Sequence, residues 1–97
     1  MDFEWDEVKN RINLRKHGFD FAWAEQMFHG PLLVRPDSRE DYGEERRIGI
    51  GMIRDRVAFV AFAEPSPDTI RIISLRRADY EERKEYENAV QDGLEAH

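Results

Sequence analysis

Cysteine is absent from all 97 residues, so disulfides and thiolate chemistry are excluded. Three histidines stand at positions 17, 29 and 97, and no pair has the spacing of a zinc site. No apolar run approaches the length that crosses a bilayer. The opening Met1-Asp2-Phe3-Glu4-Trp5-Asp6 is acidic where a signal peptide would be basic. Neither GxGxxG nor GxxxxGK[ST] occurs, so Gly49 and Gly51 form no nucleotide loop. Repeats and low-complexity segments are also missing. These absences leave a cytoplasmic domain with no membrane segment, metal or cofactor as the expectation.

An apolar share of 40% argues for one folded core rather than disorder. Residues 1–97 are expected to form a single domain, with 93–97 as a flexible tail. The net charge of −6 argues against a nonspecific DNA coat. That charge is unevenly spread. Residues 79–97 hold seven acids and two bases, whereas the first 78 hold fourteen acids and thirteen bases. A nearly neutral body with an acidic terminal helix leaves room for a local basic cleft, and equally for a basic partner.

Turn signals divide the chain. Phe3-Glu4-Trp5 alternates like a short edge strand, and Asp6 stands at an N-cap position before a helix that stops at Gly18. Val8 and Ile12 share a face of that helix. Asp20 caps a second helix in which Phe21, Ala24, Met27 and Phe28 recur at inward-facing spacing, ending at Gly30-Pro31. Leu32–Arg35, Glu45–Met52, Arg56–Ala63 and Thr69–Leu75 read as strands, with Glu64-Pro65-Ser66-Pro67-Asp68 breaking the third from the fourth. Gly49 and Gly51 mark a bulge or a close approach by a neighbouring element. Asp79 and Glu82 are spaced as a capping box for the last helix. The order β-α-α-β-β-β-β-α makes an α+β domain: a small antiparallel sheet flanked by two N-terminal helices and one C-terminal helix.

Arginine dominates the candidate chemistry. Arg46 and Arg47 open one strand, Arg71 lies on the last strand, Arg76 and Arg77 leave its end, and Arg83 follows one turn into the final helix. A guanidinium offers a planar donor fork suited to phosphate oxygens. The competing role is pairing with carboxylates, and Glu44, Glu45, Glu81, Glu82 and Glu85 offer many. His17 could exchange a proton near neutrality, or simply bond to free carbonyls at its helix end. His29, before Gly30, is a weaker case, and Lys9 is a phosphate contact or a solvated helix lysine. Tyr80 and Tyr86 suit base stacking or core packing.

Phe3-Glu4-Trp5-Asp6, Lys9, Asn13, Lys16-His17-Gly18, Phe21, Ala24, Phe28-x-Gly30-Pro31, Asp37, Gly43-Glu44-x-Arg46, Ile50-Gly51, Arg71-Ile72-Ile73-Ser74-x-Arg76, Glu82-Arg83 and Tyr86 follow one another in an order that resembles the BrnT toxin family. The resemblance covers residues 3–86 and departs from the family pattern at three places. Gly30 stands where aspartate is commoner, Leu75 where alanine is, and Phe62-Ala63-Glu64 where a Tyr-Thr pair and an arginine are usual. It implies a RelE/ParE-like fold and a ribonuclease toxin of a type II toxin–antitoxin system, stopping translation and growth by cleaving RNA without a metal or cofactor. It implies Lys9, His17, Arg71 and Arg76 as catalytic residues, and Arg46 and Arg83 as RNA contacts. It also implies a BrnA-like antitoxin whose ribbon-helix-helix part makes the DNA contact. The residues alone leave open a non-catalytic binding module or an accessory subunit of a transcriptional complex.

Overall fold

The computed structural model describes residues 1–95. Its elements are β1 (Asp2–Glu4), α1 (Glu7–His17), a 3₁₀ helix (Phe21–His29), β2 (Leu33–Pro36), β3 (Arg47–Ile53), β4 (Arg56–Ser66), β5 (Thr69–Arg77) and α2 (Tyr80–Gln91). They follow the expected order. All five strands join one sheet, β1-β5-β4-β3-β2. It is antiparallel except at one edge, where β1 runs parallel to β5.

One face of the sheet carries the main core: Phe62, Val60, Ile70, Ile72 and Leu75 from the strands meet Phe21, Ala24, Met27 and Phe28. The segment 21–29 winds as a 3₁₀ helix rather than the expected α-helix. Phe21, Ala24 and Met27 recur every third residue and are at most 1% exposed. A three-residue repeat places all three on the sheet when each turn holds three residues. The sheet below is cut to fit. A Cβ on Gly51 would stand 3.0 Å from Leu32 Cδ1 and 3.3 Å from the Pro31 carbonyl oxygen. Gly49 would bring one within 3.1 Å of Val60 Cγ1. Of the two readings of these glycines, close approach is the one observed.

α2 covers part of the other face, over a smaller cluster of Ile48, Ile50, Phe59 and Tyr86. The Tyr86 hydroxyl donates to the Pro31 carbonyl at 2.9 Å, which lets the phenol be buried without an orphaned polar group. The stretch expected as a tail makes contacts of its own. Leu94 packs against this cluster, and the Leu32 N–H donates to the Glu95 carbonyl at 3.3 Å. Ala96 and His97 lie outside the described residues.

β4 continues through Pro65 to Ser66, past the expected break. Its pairing with β3 ends at Arg47↔Phe62, so the proline lies where no β3 partner awaits its missing N–H. Among the described residues no helix is long and apolar enough to cross a membrane.

α1 is attached differently from the rest. Val8, Ile12 and Leu14 point to solvent, and its buried side chains are Asn10 and Asn13. Asn10 accepts from the Phe21 N–H at 2.9 Å and donates to Asp20 at 3.1 Å. Asn13 accepts from the Leu75 N–H at 3.1 Å and donates to the carbonyls of Leu75 and Phe19 at 2.8 and 3.0 Å. It pairs with the β5 backbone as an adjacent strand would.

Candidate active site

Asn13 fixes which side of α1 faces β5, and that choice assembles a site. Positions 9, 13, 16 and 17 are spaced i, i+4, i+7 and i+8, so Lys9, Lys16 and His17 share the face that Asn13 turns toward the strand. The three line an open cleft of about 220 Å³ with Ile12, Asn13, Ile73 and Ser74. Among the described residues its lining has three basic groups and no carboxylate, which suits an anion. Neither lysine has an ion pair or side-chain hydrogen bond among the described residues, and both caps of α1 follow the sequence: Asp6 accepts from the N–H groups of Val8 and Lys9, and Gly18 closes the helix with φ 75°.

The His17 imidazole titrates below its ordinary value of 6.5, through partial burial first and then the positive charges of Lys16 and Arg76. Its neutral form is therefore favoured near pH 7, with a ring nitrogen able to accept a proton. It makes no bond to the helix-end carbonyls, the alternative role open to it.

Arg76 lies beyond Ser74 on the same strand. Its guanidinium stacks on Phe59 with 3.9 Å from Cζ to the ring centroid. Nη1 and Nη2 donate to the two Glu82 oxygens at 2.8 and 2.9 Å, and Nη1 also donates to the Arg77 carbonyl at 3.1 Å. Of the five N–H groups of an arginine, this leaves Nε–H and one on Nη2 for a ligand. Glu82 in turn closes the capping box of α2. Burial alone would raise its carboxyl, but the bonds from Arg76 and the Asp79 N–H, with the charges of Arg76 and Arg35, leave it below its ordinary value.

The other candidates are not brought to the cleft. Arg71 stands opposite Glu4 in the β1–β5 pair, and its Nε donates to that carboxylate at 2.8 Å. Arg46 stacks on Tyr42 at 4.1 Å, with Glu44 3.9 Å away and its own Nε buried without a hydrogen bond among the described residues. Arg83 packs over the exposed Tyr80 ring at 5.6 Å and faces a separate groove. Arg47 pairs with Glu45 and Glu64, each at 3.6 Å. His29 faces Glu25 at 3.4 Å on the surface.

Lys16, Ser74 and Arg39 are not among the candidates the sequence offers. The helical spacing of Lys16 with Lys9 was legible. Arg39 was not, because its place is set by a loop: it grips the buried Asp37 carboxylate through Nε and Nη2, both at 2.8 Å, and reaches the Phe59 ring at 5.3 Å.

A family profile described as "Ribonuclease toxin, BrnT, of type II toxin-antitoxin system" matches residues 5–82. The chain belongs to the BrnT family. The crystal structure of the Brucella abortus ribonuclease toxin BrnT superposes with a TM-score of 0.68 at 30% identity, over 81% of this chain and 97% of that one. The comparison with curated proteins gives no match. The BrnT fold, RelE/ParE-like, is thus the α+β arrangement described above. Two departures from the BrnT pattern have visible settings. Leu75 is fully buried in the main core, so its extra bulk is used in packing. Glu64, where an arginine is usual, answers Arg47 on β3 and takes no part in the α1–β5 cleft.

Proposed function

We propose that this chain is the toxin of a type II toxin–antitoxin pair and cleaves RNA at the α1–β5 cleft without a metal. The observation that carries this reading is the convergence of Lys9, Lys16 and His17 on Ser74, with Arg76 near enough to lower the His17 pKa. Family membership supplies the reaction class. Neutral His17 takes the proton of a ribose 2′-hydroxyl, whose oxygen attacks the adjacent phosphorus. The P–O5′ bond breaks, leaving a 2′,3′-cyclic phosphate and a 5′-hydroxyl that draws its proton from a lysine ammonium or solvent. Lys9 stabilises the added negative charge on the phosphoryl oxygens, and Arg76 holds the phosphate through its two uncommitted N–H groups. Arg71, farther down β5, contacts a neighbouring phosphate once its bond to Glu4 is exchanged. Arg46 orders the 37–46 loop beside Tyr42, away from the scissile bond. A cleft without carboxylates, and no cluster of metal-ligating side chains among the described residues, favour a reaction driven by cations of the chain itself.

BrnT toxins pair with BrnA-like antitoxins. We assign such a partner to this chain, with DNA contact through its ribbon-helix-helix part, as the acidic charge of the toxin suits.

One observation favours a second reading. The fork of Arg76 is occupied by Glu82, as in a structural ion pair of a non-catalytic binding module. Product analysis separates the two. Antitoxin-free protein in excess chelator should convert RNA to fragments ending in a 2′,3′-cyclic phosphate. Cleavage lost in chelator and restored by a divalent ion would overturn the metal-free mechanism, and no cleavage under any condition would favour the binding module.

A further inference from the structure

A second groove, larger than the cleft, lies on another part of the molecule. It has a volume of about 620 Å³ and lies between α2 and the turn joining β3 to β4. Arg56, Arg77, Arg83 and Lys84 face it. None of the four has an ion pair among the described residues, whereas Arg35, Arg39, Arg46, Arg47, Arg71 and Arg76 each have a carboxylate within 4.0 Å. Two carboxylates, Asp55 and Glu87, also line the groove without reaching these cations. In a chain with a net charge of −6, unneutralised cations gathered on three separate elements make an uncommon surface. Between them Met52 and Val57 give the groove an apolar lining.

We propose that this groove is a second RNA subsite, holding the single strand that flanks the bond cut in the α1–β5 cleft. The proposal rests on the RNA-cleaving reading above and extends it. Cations on opposing walls suit a phosphodiester backbone, and an apolar lining suits the face of an unpaired base. Adjacency to the first site along β5, where Ser74 lines the cleft and Arg77 the groove, favours RNA over an acidic protein segment. Arg76, proposed above to hold the scissile phosphate, and Arg77, which lines the groove, are consecutive on β5, and Arg76 Nη1 donates to the Arg77 carbonyl at 3.1 Å. Tyr80 is 60% exposed beside Arg83, one turn earlier on α2, and offers an aromatic platform at the groove's edge.

The test is equilibrium binding of a fluorescent, 2′-O-methylated single-stranded RNA of mixed sequence, which the mechanism cannot cleave, to the full chain and to Arg83→Gln/Lys84→Gln. Both side chains project from a helix that glutamine also favours. The double variant should bind about tenfold more weakly. Its log Kd against log salt should be shallower by about 1.4, since each lost phosphate contact on a single strand removes about 0.7. A parent that binds without cleaving natural RNA would sink the catalytic reading and leave the subsite standing. Equal affinity and equal salt slope in parent and variant would overturn the subsite, as would a parent that binds no RNA. If the variant keeps RNA affinity but loses the antitoxin, the groove belongs to a protein partner and the proposal is likewise overturned.

Discussion

Two regions of this small domain carry clustered positive charge and hold it in opposite ways. Where the 37–46 loop meets the edge of the sheet, each arginine has a carboxylate. Arg39 grips buried Asp37, Arg47 faces Glu45 and Glu64, and Arg35 reaches Glu85. At the α1–β5 seam Lys9 and Lys16 have none among the described residues, and the helix that carries them is fixed by asparagines. Cations of the first kind tie elements to one another, Arg35 joining β2 to α2 and Arg47 joining β3 to β4. Cations of the second kind, held apart from any carboxylate, keep an anion site open. Arg76 spans the two, with part of its donor fork on Glu82 and part uncommitted.

The largest expected effect breaks the seam itself. Asn13→Leu removes the partners of the Leu75 N–H and of the Leu75 and Phe19 carbonyls, leaving buried polar groups unsatisfied. A loss of about 3 kcal/mol in urea unfolding is expected, and an unchanged midpoint would show that the asparagine is dispensable. Lys9→Met should separate function from stability. RNA cleavage should fall about 100-fold, the scale of removing one transition-state charge partner, while the melting temperature stays put. Arg39→Met, on the clamped side, should show the reverse: about 1–2 kcal/mol lost with the Asp37 carboxylate left buried, and cleavage by the folded fraction unchanged.

Acid should then distinguish the regions by sign. Hydrogen bonding to Arg39 holds the Asp37 carboxyl below its ordinary value, and Glu82 is likewise lowered. Groups depressed on folding contribute stability that is present above their unfolded pKa and lost as pH falls through the folded one. Stability should therefore decline below about pH 4.5, the ordinary value of Glu82, and Glu82→Gln should flatten that decline. His17 behaves oppositely in charge: its lowered pKa keeps it neutral, so cleavage by the free protein should rise with pH on a limb centred below 6.5. The smallest effect is expected from Lys16→Met, which removes one of the charges depressing His17 and should move that limb to higher pH. A limb that moves lower, or not at all, would deny the coupling.

Much of the fold was legible because its punctuation is local. Asp6, Gly18, Asp20, Gly30-Pro31 and the Asp79/Glu82 box each end or begin an element where expected. The 3₁₀ winding of 21–29 was not legible, since apolar residues at third and fourth positions fit both helix types. Nor was the attachment of α1, because Val8 and Ile12 suggest an apolar face that instead meets solvent, and asparagines carry no periodic signal. Lys9 and His17 could be named from the sequence, but their meeting with Ser74 depends on a contact across 62 residues, between Asn13 and Leu75. Arg71, Arg46 and Arg83 were named by the same reasoning and stand elsewhere, because strand register and loop course place them beside Glu4, Tyr42 and Tyr80.

The most direct test of the central claim is cleavage of an end-labelled RNA in excess chelator by the parent chain and by Lys9→Met/His17→Gln. Both side chains are exposed and unbonded among the described residues, so the variant should fold as the parent does. Cleavage by the parent, and none detectable by the folded variant, is the expected result. Equal cleavage by the two would place the chemistry outside the α1–β5 cleft and contradict that claim.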